Sequence, residues 1–103
     1  MRYNLLGRTG MFVSEMCLGT MTFGQSSGHY AAASGVAQDE VDAIVHGAFD
    51  AGVNFIDMAN VYANGQSEEM IGRALKKLGI SRKDVVLATK FEHATGVGPN
   101  DGG

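Results

Sequence analysis

Three side chains of this sequence could do acid–base chemistry together. Asp57 closes the apolar run Val53-Asn54-Phe55-Ile56, Tyr62 lies in the polar stretch that follows, and Lys90 comes just after a second apolar run, Val85-Val86-Leu87-Ala88-Thr89. Taken singly, each has a plainer explanation. A strand-end Asp is common in turns, a loop Tyr is more often a half-buried aromatic, and a Lys is usually a solvated charge. As a set they are a carboxylate, a phenol and an ammonium, groups that can hold one another and act on a small polar molecule.

No other constellation in the chain has comparable content. His29, His46 and His93 have no metal-ligand spacing, so no metal is expected. Cys17 reads as a small buried core residue and the six methionines as core filler. Ser67 reads as a helix cap, and the glycine-rich end lacks the Lys and Ser/Thr of a phosphate-binding loop.

The elements that must position the three residues follow from pattern. Tyr3–Leu6 and Met11–Ser14 flank Gly7-Arg8-Thr9-Gly10, a turn of hairpin length. Met16–Thr20 suits a buried strand, and residues 24–37, rich in Gly, Ser and Ala, read as a loop. Val41, Ile44, Val45, Ala48 and Phe49 recur at helical spacing, predicting a helix over 39–51 that Gly52 ends. Val53–Asp57 is a strand. Ser67, with Glu68 and Glu69 behind it, starts a second helix striped by Met70, Ile71, Ala74, Leu75 and Leu78. Val85–Thr89 does not alternate, which predicts a strand covered on both faces.

The order is a hairpin followed by β-α-β-α-β, an α/β chain. Right-handed crossovers place the three later strands side by side. Asp57 and Lys90 then fall at neighbouring strand tips with Tyr62 in the loop above, at the edge where α/β folds build their sites.

Composition bounds the alternatives. The chain has 103 residues, 45% hydrophobic and 18% charged, so it is one globular domain at most. A net charge of -3 argues against a nucleic-acid partner, and no apolar run is long enough for a membrane. A single cysteine and no signal-like start give a cytoplasmic expectation.

The strings Cys17-Leu18-Gly19-Thr20-Met21-Thr22-Phe23-Gly24, Gly52-Val53-Asn54-Phe55-Ile56-Asp57, Tyr62, Ser67-Glu68 and Ala88-Thr89-Lys90 occur in an order that resembles the N-terminal part of an aldo-keto reductase. The resemblance implies a (β/α)8 barrel. Of it, this chain would supply the hairpin at 3–14, the β-α-β-α-β run at 16–90 and a loop tail at 91–103, all in one partial domain, 1–103. It further implies reduction of a small aldehyde or ketone with NADPH, or NADH. Tyr62 would be the general acid. Lys90 would supply a cation that makes the ionised form of a phenol (pKa about 10) easier to reach, and Asp57 would hold the ammonium. Gly19, Thr20 and Met21, with Asp57, would lie at the nicotinamide ribose.

The family's catalytic histidine follows the next strand, its phosphate and adenosine contacts come from the last strands, and none of these has a counterpart here. Gly98–Gly102 resembles the loop after the third barrel strand, and Met58-Ala59-Asn60 stands where the family often has Thr-Ala-Asp. Two rival readings stand beside the reductase. The chain could be a non-catalytic fragment that self-associates or binds a partner through the exposed edge of its third strand. It could also be a metabolite-binding module using Asp57 and Lys90 without redox chemistry.

Overall fold

The computed structural model describes the backbone of residues 1–103 and every side chain except those of His29 and Tyr30, so His29 lies outside the described side chains. The chain opens with β1 (Tyr3–Leu5) and β2 (Phe12–Ser14), an antiparallel hairpin in which Tyr3 faces Ser14 and Leu5 faces Phe12. Then come β3 (Leu18–Gly19), α1 (Gln38–Asp50), β4 (Phe55–Asp57), α2 (Gln66–Lys77) and β5 (Val86–Ala88). Strands β3, β4 and β5 form a parallel sheet in that order, with Gly19, Asp57 and Ala88 abreast.

Both helices cover one face of this sheet. Val41 and Val45 of α1 and Met70, Ile71, Ala74 and Leu75 of α2 are buried against Ile56, Val85 and Phe23, with Leu18 and Leu87 packed alongside. The α1 stripe is narrower than its period predicts. Ala48 and Phe49 are half-buried, and Ile44 is exposed. Each helix starts with two acidic residues in its first turn, and α2 ends with Lys76 and Lys77, which suits the helix dipole. Between the helices, Lys77 Nζ donates to the buried Asp42 carboxylate at 2.6 Å, and Gln38 donates to the same group at 2.8 Å. These two donors hold the Asp42 carboxyl below the usual carboxylate range.

The strands are shorter than the apolar runs that mark them, for local reasons. Val53 donates its N–H to Ala48 O and Asn54 donates its own to Ser14 Oγ, so neither N–H enters the ladder, although Asn54 O still accepts from the Val86 N–H. The 24–37 segment is not all irregular, since Gly28–Ala33 forms a 3-10 turn; Arg82–Asp84 forms another.

Sheet alternation explains two further corrections. Leu18, Ile56 and Leu87 point into the helix layer, so their neighbours Cys17, Gly19 and Ala88 point the other way. Cys17 is therefore exposed and not a core residue. On that second face Val86 and Ala88 remain half-exposed, so β5 is covered on one side only. Burial and the nearby Asp57 carboxylate push the Cys17 thiol up, and Lys90 opposes them, although the residue as a whole is exposed.

Candidate active site

The ladder between β4 and β5 continues beyond the strands. Met58 donates its N–H to Ala88 O at 2.8 Å and Asn60 donates to Lys90 O at 3.0 Å. This extension fixes the backbone of Lys90 beside that of Asp57. The ammonium then uses all three of its hydrogens, donating to Asp57 Oδ1 and Oδ2 at 2.8 Å each and to Met58 O at 2.7 Å. Lys90 is held above the usual lysine range, first by its bond to Asp57, which outweighs the opposing effect of desolvation, and further by the Tyr62 phenol. Lys90 is thus a fixed cation at neutral pH.

Tyr62 reaches this pair from the turn Tyr62–Gly65. The Lys90 ammonium lies over its ring, 5.2 Å from the centroid, a cation–π distance. The turn is unusual. Ala63 (φ 48°) and Asn64 (φ 51°) are left-handed, as is Gly65 (φ 89°). A left-handed Ala costs energy, and here Ala63 is buried against Gly24. A Cβ on Gly24 would come within 2.9 Å of the Cβ atoms of both Ala63 and Gln66, so glycine lets the two loops close.

Asp57, Tyr62 and Lys90, chosen from sequence, thus meet at the C-terminal end of the parallel sheet. Tyr62 and Lys90 border a cavity of about 470 Å³ lined also by Met21, Asn60 and His93, and Asp57 reaches it only through Lys90. Asn60 and His93 were not among the sequence candidates, and the His93 side chain stays largely exposed at the cavity rim. Each follows a strand-end ion, Asp57 or Lys90, by three residues, the one signal that could have found them. Among the described residues, buried Asn60 Oδ1 has no hydrogen-bond donor.

The four residues assigned to a cofactor divide. Gly19 is exposed on the open face with free space where a Cβ would stand, Met21 is exposed at the cavity, and Asp57 is half-exposed. These three are open to solvent at the strand ends. Thr20 is placed differently. It is fully buried, its N–H and hydroxyl lie 3.1 Å from Asp57 O, and its carbonyl accepts from Ser67 Oγ and from the Phe23 N–H. Ser67 is likewise no cap. Gly65 holds the N-cap position of α2, because the left-handed turn delivers the chain into the helix before Ser67 is reached.

Known proteins resemble this chain in sequence and in fold. Residues 15–103 match the model of the Aldo/keto reductase family. Over its whole length the chain is 43% identical to a protein of Oryza sativa subsp. japonica described as a "probable voltage-gated potassium channel subunit beta", covering 29% of that protein. It is 40% identical to an aldo-keto reductase of Alternaria alternata over 85% of the chain and 23% of the relative. Among solved structures, the holo form of an aldo-keto reductase from Bacillus halodurans superposes with a TM-score of 0.73 at 28% identity, over 98% of this chain and 29% of that one. A thermostable aldo-keto reductase bound to the inhibitor epalrestat gives 0.67 at 29% identity, over 86% and 30%. The chain spans less than a third of these relatives, and what it spans is the N-terminal hairpin with the first three strands and two helices of a (β/α)8 barrel. The chain belongs to the aldo-keto reductase family.

Proposed function

We propose that this chain forms the proton-delivery side of an NADPH-dependent reduction of an aldehyde or ketone, in a cytoplasmic setting. The observation that carries the reading is the fixed Lys90 cation, held on three oxygens with Tyr62 beside it. NADPH, when bound, supplies a hydride; Gly19, Met21 and Asp57 are the residues here that would hold it. Tyr62 gives its phenolic proton to the carbonyl oxygen as negative charge develops there, which yields the alcohol and leaves a phenolate. Lys90 stabilises that phenolate until solvent returns a proton. Asp57 neutralises the ammonium and fixes where it points. This chain alone lacks the histidine and the phosphate contacts that the family adds from later strands, so the reading is that it does not turn over substrate unaided.

A chimera tests the assignment. Residues 1–103 replace the matching segment of an active aldo-keto reductase, and NADPH consumption is compared with and without Tyr62→Phe. The variant should lose about 10²–10⁴-fold in kcat, the usual contribution of a positioned general acid, while the NADPH Kd stays within a few-fold. Full activity in the Phe variant would end the assignment.

A second reading concerns assembly. Among the described residues, strand β5 pairs with β4 alone, and Phe91 just beyond it is 74% exposed. An open strand edge beside an apolar side chain favours pairing with another chain. Light scattering after size exclusion should then show mass rising with concentration; a monomer at every concentration would dismiss it.

A further inference from the structure

The first turn of α2 carries three consecutive polar side chains, and each is tied to a different part of the strand ends. Gln66 Oε1 accepts from the Gln25 N–H at 3.2 Å, while its Nε2 donates to Gln25 O at 3.4 Å. Ser67 Oγ donates to Thr20 O at 2.8 Å and lies 2.9 Å from the Thr20 hydroxyl, which itself reaches Asp57 O. Glu68 Oε1 accepts from the Thr89 hydroxyl at 2.6 Å. One helical turn therefore touches the loop after β3, the joined tips of β3 and β4, and the residue before Lys90. Tyr62 leads directly into that turn.

These bonds do little for the helix itself. The Ser67 hydroxyl satisfies no free N–H of α2, and its bonds run to another element although the residue is fully buried. The Glu68–Thr89 bond lies on the solvent side, where a hydrogen bond adds little net stability. What both do is fix distances. Ser67 ties the phenol-bearing segment to Thr20, and through the Thr20 hydroxyl to the backbone of Asp57, and Glu68 ties it to the neighbour of Lys90.

We propose that Ser67 and Glu68 are positioning residues, a clamp through which the first turn of α2 sets Tyr62 against the Asp57–Lys90 pair. Its functional meaning rests on the carbonyl-reduction reading, while the geometry is testable in the 103-residue chain without turnover. Two NMR readouts on Lys90 serve: the ring-current shift of its side-chain protons from Tyr62, with Tyr62→Leu as the zero reference, and the titration of its ammonium.

Thr89→Val and Glu68→Ala should move the ring-current shift toward the Tyr62→Leu value and bring the titration down toward that of an ordinary lysine, with amide signals elsewhere unchanged. Glu68→Gln keeps an oxygen for Thr89 and should restore both readouts. Wild-type values in Thr89→Val and Glu68→Ala would overturn the clamp. So would a Glu68→Gln that behaves like Glu68→Ala, since charge and not contact would then be acting. Ser67→Ala should reproduce the loss; if it fails to fold, the exposed Thr89 and the Glu68 pair decide. Asp57→Asn separates the two levels. It must lower the Lys90 titration whether or not the clamp exists, and its failure would instead remove the ion pair on which the proposed function stands.

Discussion

Replacing Gly24 with Ala tests whether close approach of two loops holds the Tyr62 turn in place. Gly24 has φ +84°, and a Cβ there would stand 2.9 Å from Ala63 Cβ and Gln66 Cβ. Two costs add. A left-handed Ala costs about 1–2 kcal/mol, and overpacking against two Cβ atoms that flexible side chains cannot relieve costs about 1–3 kcal/mol more. Gly79→Ala is the matched control, since Gly79 has φ +66° with nothing within 4 Å. It should carry the first cost without the second. The difference of about 1–3 kcal/mol separates the two melting midpoints by roughly 5–20 °C in a chain of this size. Circular dichroism melts, run with an osmolyte if the wild type is marginal, would measure it. Adding Ala63→Gly to Gly24→Ala removes one of the two contacts and should recover part of the loss. Coincident midpoints for the two alanine variants would refute the steric account of how the loops are fixed.

Other expectations follow from single residues. Ile71→Ala opens the buried layer between α2 and the sheet and should cost about 2–5 kcal/mol, seen as a lower urea midpoint. The Asp42 carboxyl sits below its ordinary value when folded, so its contribution is present above the unfolded carboxylate range and is lost as pH falls through the folded value. Asp42→Asn should therefore flatten the acid limb of a stability–pH curve; an unchanged limb would place acid sensitivity elsewhere. Lys90 sits above its ordinary value, so its contribution is present below the unfolded lysine range and is lost as pH rises through the folded value. Alkaline melts should show that loss, and Asp57→Asn should remove it. The raised Cys17 thiol is less ionised at neutral pH, so maleimide should react with it more slowly than with a free peptide thiol; an equal rate would count against the influence of burial and Asp57.

The helices and the strand order were legible in the sequence because burial imposes a period and right-handed crossovers leave one arrangement. The three charged and aromatic residues of the site were legible because two end apolar runs. What stayed hidden depends on partners far along the chain. Ser67 has every local mark of a cap, yet its partner is Thr20, and only the tertiary structure brings them together. Thr20 sits in the string that suggests a cofactor contact, and its polar groups turn out to bond within the fold. Left-handed Ala63 has no sequence mark of its own, although Asn64-Gly65 is a turn dipeptide that could have shifted the helix start. Cys17 was misplaced because a two-residue strand leaves no alternation to read.

The hairpin's polar ties converge on residues 52–54, the stretch just before β4. Tyr3 donates its hydroxyl to Gly52 O at 2.7 Å. Asn54 Oδ1 accepts from the Ser14 N–H at 2.8 Å, and its Nδ2 donates to Phe12 O at 3.0 Å. All of this lies at the end of the sheet opposite Lys90. Hydrogen exchange could therefore find the hairpin opening as a cooperative unit of its own while the Lys90–Asp57 pair stays closed. A change that loosens or stiffens the hairpin rim should then leave the Lys90–Asp57 pair at the other rim in place.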